Sequence, residues 1–244
     1  MKSIGIIGCG RIGGPVIRAI QAGQIEGFSL LSVLTQNLRQ LENIETVVDP
    51  DAFFDQQFDL IIDTAGPSSM IEHGARALRN ADLWTVNAAA LADAELYNQL
   101  EATGREYGNR LRVLSGAIAG LDGVATLSID GDAEVLTTVD VMPSEKGRGT
   151  LFKGGVREAA KLFPESINVA VATALASTAI DDVQIEVVQP DLKGPRSLTI
   201  KAQSQYGYLE VKTIPNVIPD KGIHTVAACI IAALRQENKV IWIG

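Results

Sequence analysis

Along the first half of the chain, short apolar runs alternate with stretches whose apolar residues recur at helical spacing. Ser3–Ile7, Leu30–Leu34, Leu60–Asp63, Leu83–Val86 and Leu111–Leu114 read as strands, each a brief and nearly continuous apolar run, the pattern of strands buried on both faces. Ile12–Ala22, Ser69–Arg79 and Ala94–Tyr107 read as the helices between them. This alternation predicts βαβ units with right-handed crossovers, and so an α/β, doubly wound parallel sheet with helices on both faces.

After about Gly116 the texture changes. Gly123–Leu127 reads as the start of a helix, and Gly154–Leu162 and Asn168–Thr178 read as helices separated by Phe163–Pro164. Leu136–Met142 and Val183–Val188 are strands rich in Val, Ile and Thr, while Ser197–Ala202 and Leu209–Thr213 alternate like paired antiparallel strands. The expectation is a second, α+β domain whose sheet has one helix-covered face. A last helix near Thr225–Arg235, apolar through Val226, Ala227, Ile230, Ile231 and Leu234, returns to the first domain. The expected organisation is residues 1–115, 116–215 and 216–244 for these three parts.

The first strand runs into Gly8–Cys9–Gly10–Arg11–Ile12–Gly13, a G-x-G-x-x-G turn that opens a helix. The first glycine permits the tight turn, the second lets backbone approach a pyrophosphate, and the third lets helix pack on strand. The helix N-terminus then offers free N–H groups to phosphate. This context makes the first domain a Rossmann dinucleotide-binding domain, with Gly8, Gly10, Arg11, Ile12 and Gly13 at the phosphates. NAD sites usually carry an acid about twenty residues on, at the end of the second strand, for the ribose 2′-OH. Here that position reads Thr35–Gln36–Asn37, with Arg39 beyond and no carboxylate, which leans toward NADP or dual use. Ala65 and Gly66 after the third strand, and Ala88 and Ala89 after the fourth, leave room for the rest of the coenzyme. Asp63 reads either as a site residue or as an acidic cap on its own turn.

A net charge of −8 with no Lys/Arg cluster argues against nucleic acid or an anionic membrane as partner. The two cysteines, Cys9 and Cys229, have no metal-like or disulfide-framework spacing, and no metal is expected. No leader pattern precedes the first strand, and no run approaches the roughly eighteen apolar residues of a membrane helix. The expected location is the cytoplasm.

Four further segments carry a family resemblance: Ser115–Gly116–Ala117–Ile118–Ala119–Gly120–Leu121–Asp122, Phe152–Lys153–Gly154–Gly155–Val156–Arg157–Glu158–Ala159–Ala160, Phe163–Pro164–Glu165–Ser166–Ile167–Asn168–Val169–Ala170 and Thr225–Val226–Ala227–Ala228. Together with the glycine turn and Ala89–Ala90–Leu91–Ala92–Asp93, they resemble the L-aspartate dehydrogenase family almost end to end. The resemblance implies a C-terminal substrate domain, a homodimer and NAD(P)-dependent oxidation of L-aspartate to iminosuccinate, which hydrolyses to oxaloacetate and ammonia. It implies that Ala117 and Asn168 contact the coenzyme near the nicotinamide, with Asn168 also in the catalytic site. The family carries an acid/base histidine on a later strand. The corresponding stretch here, Lys193–Ile200, has none, and Leu198 occupies its position.

The chain has two histidines. His73 reads as an ordinary helix residue. His224 precedes the last helix, either as its N-cap or as a replacement acid/base. Lys153, Arg157 and Arg196 read either as cations for a substrate carboxylate or as solvated surface charges, and Ser144–Gly149 as a lid or a plain connection. The leading expectation is an aspartate-dehydrogenase-like oxidoreductase acting on a small amino or keto acid. The alternative is a catalytically silent NAD(P)-binding or sensing homologue.

Overall fold

The computed structural model describes residues 1–37, 46–141, 148–177, 180–191, 196–216 and 223–241. Arg39, Met142, Ser144–Gly147, Thr178 and Lys193–Pro195 of the sequence reading lie outside the described residues. The chain forms two compact units, one of Met1–Asn87, Ala94–Gly116 and Ile218–Gly244, the other of Ala88–Asp93 and Ala117–Val217.

In the first unit, β1 (Lys2–Ile7), β2 (Phe28–Leu34), β3 (Thr46–Val47), β4 (Leu60–Asp63), β5 (Asp82–Thr85) and β6 (Leu111–Val113) form one sheet in the order β3-β2-β1-β4-β5-β6. Every pairing is parallel. This is the doubly wound dinucleotide order, and its strand order reverses at β1 and β4, where the ligand crevice opens. The helices α1 (Gly13–Gln21), α2 (Pro50–Phe54), α3 (Pro67–Asn80) and α4 (Ala94–Tyr107) cover the faces. Val16, Ile17 and Ile20 of α1 join Ile4, Ile6, Val33 and Ile62 in one buried cluster. Gly5 in β1 leaves the space that the rings of Phe53 and Phe58 fill, since a Cβ there would lie 2.8 and 2.9 Å from them.

The periodic pattern omits two small elements. β3 has only two residues, too few to show alternation. α2 is a short helix started by Asp49, whose carboxylate accepts the Asp51 N–H, with Pro50 at its first position.

The second unit contains α5 (Leu121–Leu127), β7 (Glu134–Asp140), β8 (Gly149–Gly155), α6 (Val156–Leu162), α7 (Asn168–Ala176), β9 (Gln184–Gln189), β10 (Leu198–Ser204) and β11 (Gly207–Thr213). Its sheet runs β11-β10-β7-β9-β8; β7 and β9 are parallel and the other pairs antiparallel. Gly154 and Gly155 correct the expected helix Gly154–Leu162. They end β8, where Gly155 opposes Gln184 and Lys153 opposes Glu186 of β9, and the helix starts at Val156. Glycine is a poor helix residue, and pairing to β9 decides the matter here. Helix α7 is apolar all round, with Ala170, Val171, Ala172, Thr173 and Ala174 buried. Such a helix belongs inside a core, and α7 packs between β7 and a 3₁₀ turn at Ala88–Ala92.

The last helix, α8 (Thr225–Glu237), packs beside α1. Its Ala227, Ile230, Ile231 and Leu234 complete the cluster around Ile4 and Ile6. Ile230 is fully buried, so Ile230→Ala is expected to cost about 2–5 kcal/mol, measured as a lowered denaturation midpoint. The exposed Ile71→Ala is the control, expected to change stability by less than about 0.5 kcal/mol.

Candidate functional site

The glycine turn is built by close contacts within the first unit. Gly8 has φ +93°, a conformation that L side chains rarely adopt, and a Cβ there would meet Ala65 at 2.9 Å. At Gly13 a Cβ would lie 2.1 Å from the Gly8 carbonyl oxygen and 2.5 Å from Thr64 Oγ1. Thr64 Oγ1 donates within reach of the Ile7 and Gly8 carbonyls, at 3.0 Å each, tying β4 to the end of β1. At Gly10 a Cβ would meet nothing within 4 Å. Ile12 and Gly66, the N-caps of α1 and α3, provide no side-chain cap; Gly14 N–H bonds the Gly10 carbonyl and Ser69 N–H that of Gly66, which leaves the N–H groups of Gly13 and Ser68 at the two helix starts for an anion. Arg11 is exposed beside them.

A cleft of about 490 Å³ opens at this turn, lined by Gly8, Gly10, Thr35, Gln36, Asn37 and Ala65, with Glu72 and His73 of α3 on its wall. Thr35 is buried and its hydroxyl donates to the Asn37 carbonyl at 2.7 Å, so it shapes the turn. Gln36 and Asn37 are exposed. His73 lies 3.7 Å from the Glu72 carboxylate and 6.0 Å, ring to ring, from Phe54. Its place on the cleft is one that the helical pattern alone did not indicate. Room at Gly10, helix starts without side-chain caps and the cleft beside them fit a dinucleotide's phosphates.

At the carboxyl ends of β4 and β5 lies a network that the sequence only half revealed. Asp63 caps its own turn, accepting from Ala65 N–H at 3.1 Å and Ser69 Oγ at 2.8 Å. It also accepts from Asn87 Nδ2 at 2.7 Å and, at a long 3.4 Å, from Thr85 Oγ1. Burial pushes its carboxyl above the usual carboxylate range, against the four hydrogen bonds that pull it back. The available signal was the register, which sets Asp63 beside Thr85.

In the second unit, Asn168 begins α7 and its Oδ1 accepts the Ala89 N–H at 2.8 Å. Asn168, Ala88 and Ala89 are therefore brought together, and Ala117 is half-buried. The three candidate cations diverge. Arg157 is engaged with Asp181 at 2.6 Å and with the Ala92 carbonyl. Arg196 donates through Nε and Nη2 to the Asp140 carbonyl at 3.1 and 3.0 Å. Lys153 is exposed and, among the described residues, has no polar partner. Of the lid segment only Arg148 and Gly149 are described; Arg148 N–H bonds Asp191 and Gly149 starts β8. Leu198 is buried on the same β10 face as Ile200 and Ala202.

His224 is the N-cap of α8, its Nδ1 accepting the Val226 N–H at 3.2 Å. Burial first, and then the positive charge of Arg11, hold its pKa below 6.5. With Nδ1 accepting, the neutral ring carries its proton on Nε2, and a second proton breaks the cap.

The first unit is an NAD(P)-binding domain, and the chain has the two-part architecture of a coenzyme-dependent dehydrogenase. Residues 8–114 match the model of the homoserine dehydrogenase NAD-binding domain, and residues 126–237 match that of the aspartate dehydrogenase C-terminal domain. L-aspartate dehydrogenase 2 of Bordetella bronchiseptica is 32% identical over 76% of each chain. L-aspartate dehydrogenase of Methanococcoides burtonii is 26% identical over the full length of both. The crystal structure of aspartate dehydrogenase from Thermotoga maritima superposes with a TM-score of 0.80 at 21% identity, covering both chains entirely. The chain belongs to the L-aspartate dehydrogenase family.

The His224 geometry fixes a pH dependence. A depressed native pKa favours the neutral ring, so this contribution to stability is complete above pH 6.5 and is lost as pH falls through the native value. His224→Asn, a cap that does not titrate, is expected to flatten the fall in melting temperature on acidification below pH 6.5. His224→Ala is expected to cost about 1 kcal/mol at pH 8.

Proposed function

We propose that the chain is an NAD(P)-dependent oxidoreductase interconverting a small amino acid and its imine, with the L-aspartate–iminosuccinate couple as reference reaction and a substrate changed from it. Leu198 carries this reading. On the family resemblance it corresponds to the acid/base histidine, it is buried with the apolar face of β10, and an alkyl chain transfers no proton. Bound NAD(P) supplies or accepts the hydride at the substrate carbon. The chain's own residues bind and orient: the glycine turn and α1 hold the phosphates, Gln36 and Asn37 the adenosine ribose, and Asn168 with Ala117 the nicotinamide side. Lys153 is the cation that meets a substrate carboxylate. Arg157, held by Asp181 and the Ala92 carbonyl, and Arg196, held by the Asp140 carbonyl, serve the second unit's own structure. His224, its Nδ1 committed to the cap, offers Nε2–H as a hydrogen-bond donor, and its ring takes up a proton only by giving up the cap. The same reading makes the protein a cytoplasmic homodimer of amino-acid metabolism with small-molecule partners.

A second reading, a nucleotide-binding homologue without turnover, is favoured by one observation: both arginines proposed for the substrate are engaged within the protein. One assay separates the two. Consumption of NADPH and NADH is followed with ammonia or small amines and a panel of keto acids that includes oxaloacetate. Turnover with another keto acid and little with oxaloacetate is the expected result. Turnover chiefly with oxaloacetate restores the aspartate assignment, and nucleotide binding without any turnover supports the silent reading.

The neutral end of β2 also makes a prediction about the coenzyme. Gln36→Asp introduces the missing carboxylate, which accepts from a ribose 2′-OH and repels a 2′-phosphate. The ratio of NADH to NADPH affinity, measured by fluorescence titration, is expected to rise by about tenfold or more, equivalent to at least about 1.4 kcal/mol.

A further inference from the structure

Asp63 is a carboxylate with 1% of its surface exposed and no cationic partner among the described residues. Placing an unpaired charge there costs stability, and a turn needs only the two bonds to Ala65 and Ser69. The other oxygen, Oδ2, takes Asn87 Nδ2 at 2.7 Å. Asn87 is 4% exposed, and its backbone N–H goes to Thr85 Oγ1 at 3.0 Å. Its side-chain nitrogen also donates, at a long 3.4 Å, to the Asp63 backbone carbonyl, so both of its N–H bonds are directed at Asp63. Its carbonyl oxygen receives no hydrogen bond from the described residues, and it is not among the sealed, partnerless atoms, so it keeps accessible surface. All four groups around Asp63 donate to it, so its oxygens serve as acceptors and set one orientation of the Asn87 amide: nitrogen inward, oxygen outward.

The outward oxygen stands at the carboxyl end of β5. In this strand order the adenosine half of a dinucleotide belongs to the β1–β3 side, where Gln36 and Asn37 line the cleft, and the nicotinamide half to the β4–β6 side. We propose that Asp63 is a positioning residue that holds Asn87 as a fixed acceptor for a hydroxyl or amide N–H donor on the nicotinamide-riboside half of the coenzyme. The proposal rests on the coenzyme-binding reading of the first unit.

Asp63→Asn tests it without dismantling the fold. An amide at 63 keeps one oxygen for Ala65 and Ser69 and directs its NH₂ toward Thr85 and Asn87. Asn87 then turns its oxygen inward to accept it, and the outward acceptor becomes a donor. Calorimetric titration of NADH and of ADP, with no substrate present, reads the effect. The expected result is an NADH dissociation constant raised about tenfold, the size of one lost hydrogen bond, with ADP affinity and melting temperature held near the starting protein. Asn87→Ala is expected to show the same selective loss, and Asp63→Asn in that background to add nothing, because one residue acts through the other. Unchanged NADH affinity in Asp63→Asn, an equal loss for ADP, or losses that multiply in the double variant would each overturn the proposal. Failure of the unsubstituted protein to bind NADH would overturn the coenzyme-binding reading itself, and the proposal with it.

Discussion

The approach of α1 to the end of β1 is the constraint from which the first unit follows. Gly13 sits so close to the Gly8 carbonyl that no side chain fits between them, and this seats the helix directly over the strand. Its uncapped N-terminus then faces the crevice where the strand order reverses, while Val16, Ile17 and Ile20 reach Ile4 and Ile6 below. A bulkier turn would lift the helix, exposing part of an apolar cluster worth about 1.5–3 kcal/mol per fully buried side chain. Cofactor geometry and core packing are thus one contact seen from two sides.

Much of this was legible in the residues because buried parallel strands and amphipathic helices write strong periods. The five longer strands of the first unit and its helices α1, α3, α4 and α8 are readable from apolar spacing, and the glycine turn from its own chemistry. β3 and α2 are too short to carry a period, and β8 is masked by its glycines. Those glycines look like a helix start until pairing with β9 is known. The candidate site was readable where chemistry is local, as in the turn and the amides after β2. It was not readable where chemistry depends on neighbours in space. Arg157 and Arg196 look like anion binders in sequence, yet they clasp the Ala92 and Asp140 carbonyls. Asp63 reads as a turn cap, and only strand register brings Asn87 to its second oxygen.

Strand β10 keeps its alternation, with Leu198, Ile200 and Ala202 inward, and an apolar side chain at 198 suits that buried face. The demands of the sheet alone therefore account for leucine there, whatever chemistry the neighbouring residues perform.

The division of the chain into units has a further consequence, for biosynthesis. The first unit takes its final helix from residues after 222, and the second takes Ala88–Asp93 from the middle of the first. Strand β1 leaves the ribosome well before α8, yet Ile4 and Ile6 wait for Ile230 and Leu234 before their cluster closes. Vectorial synthesis therefore leaves the nucleotide-binding half open along one face until α8 is released. A chain cut short before Thr225 keeps the glycine turn and loses the residues that seal the core beneath it.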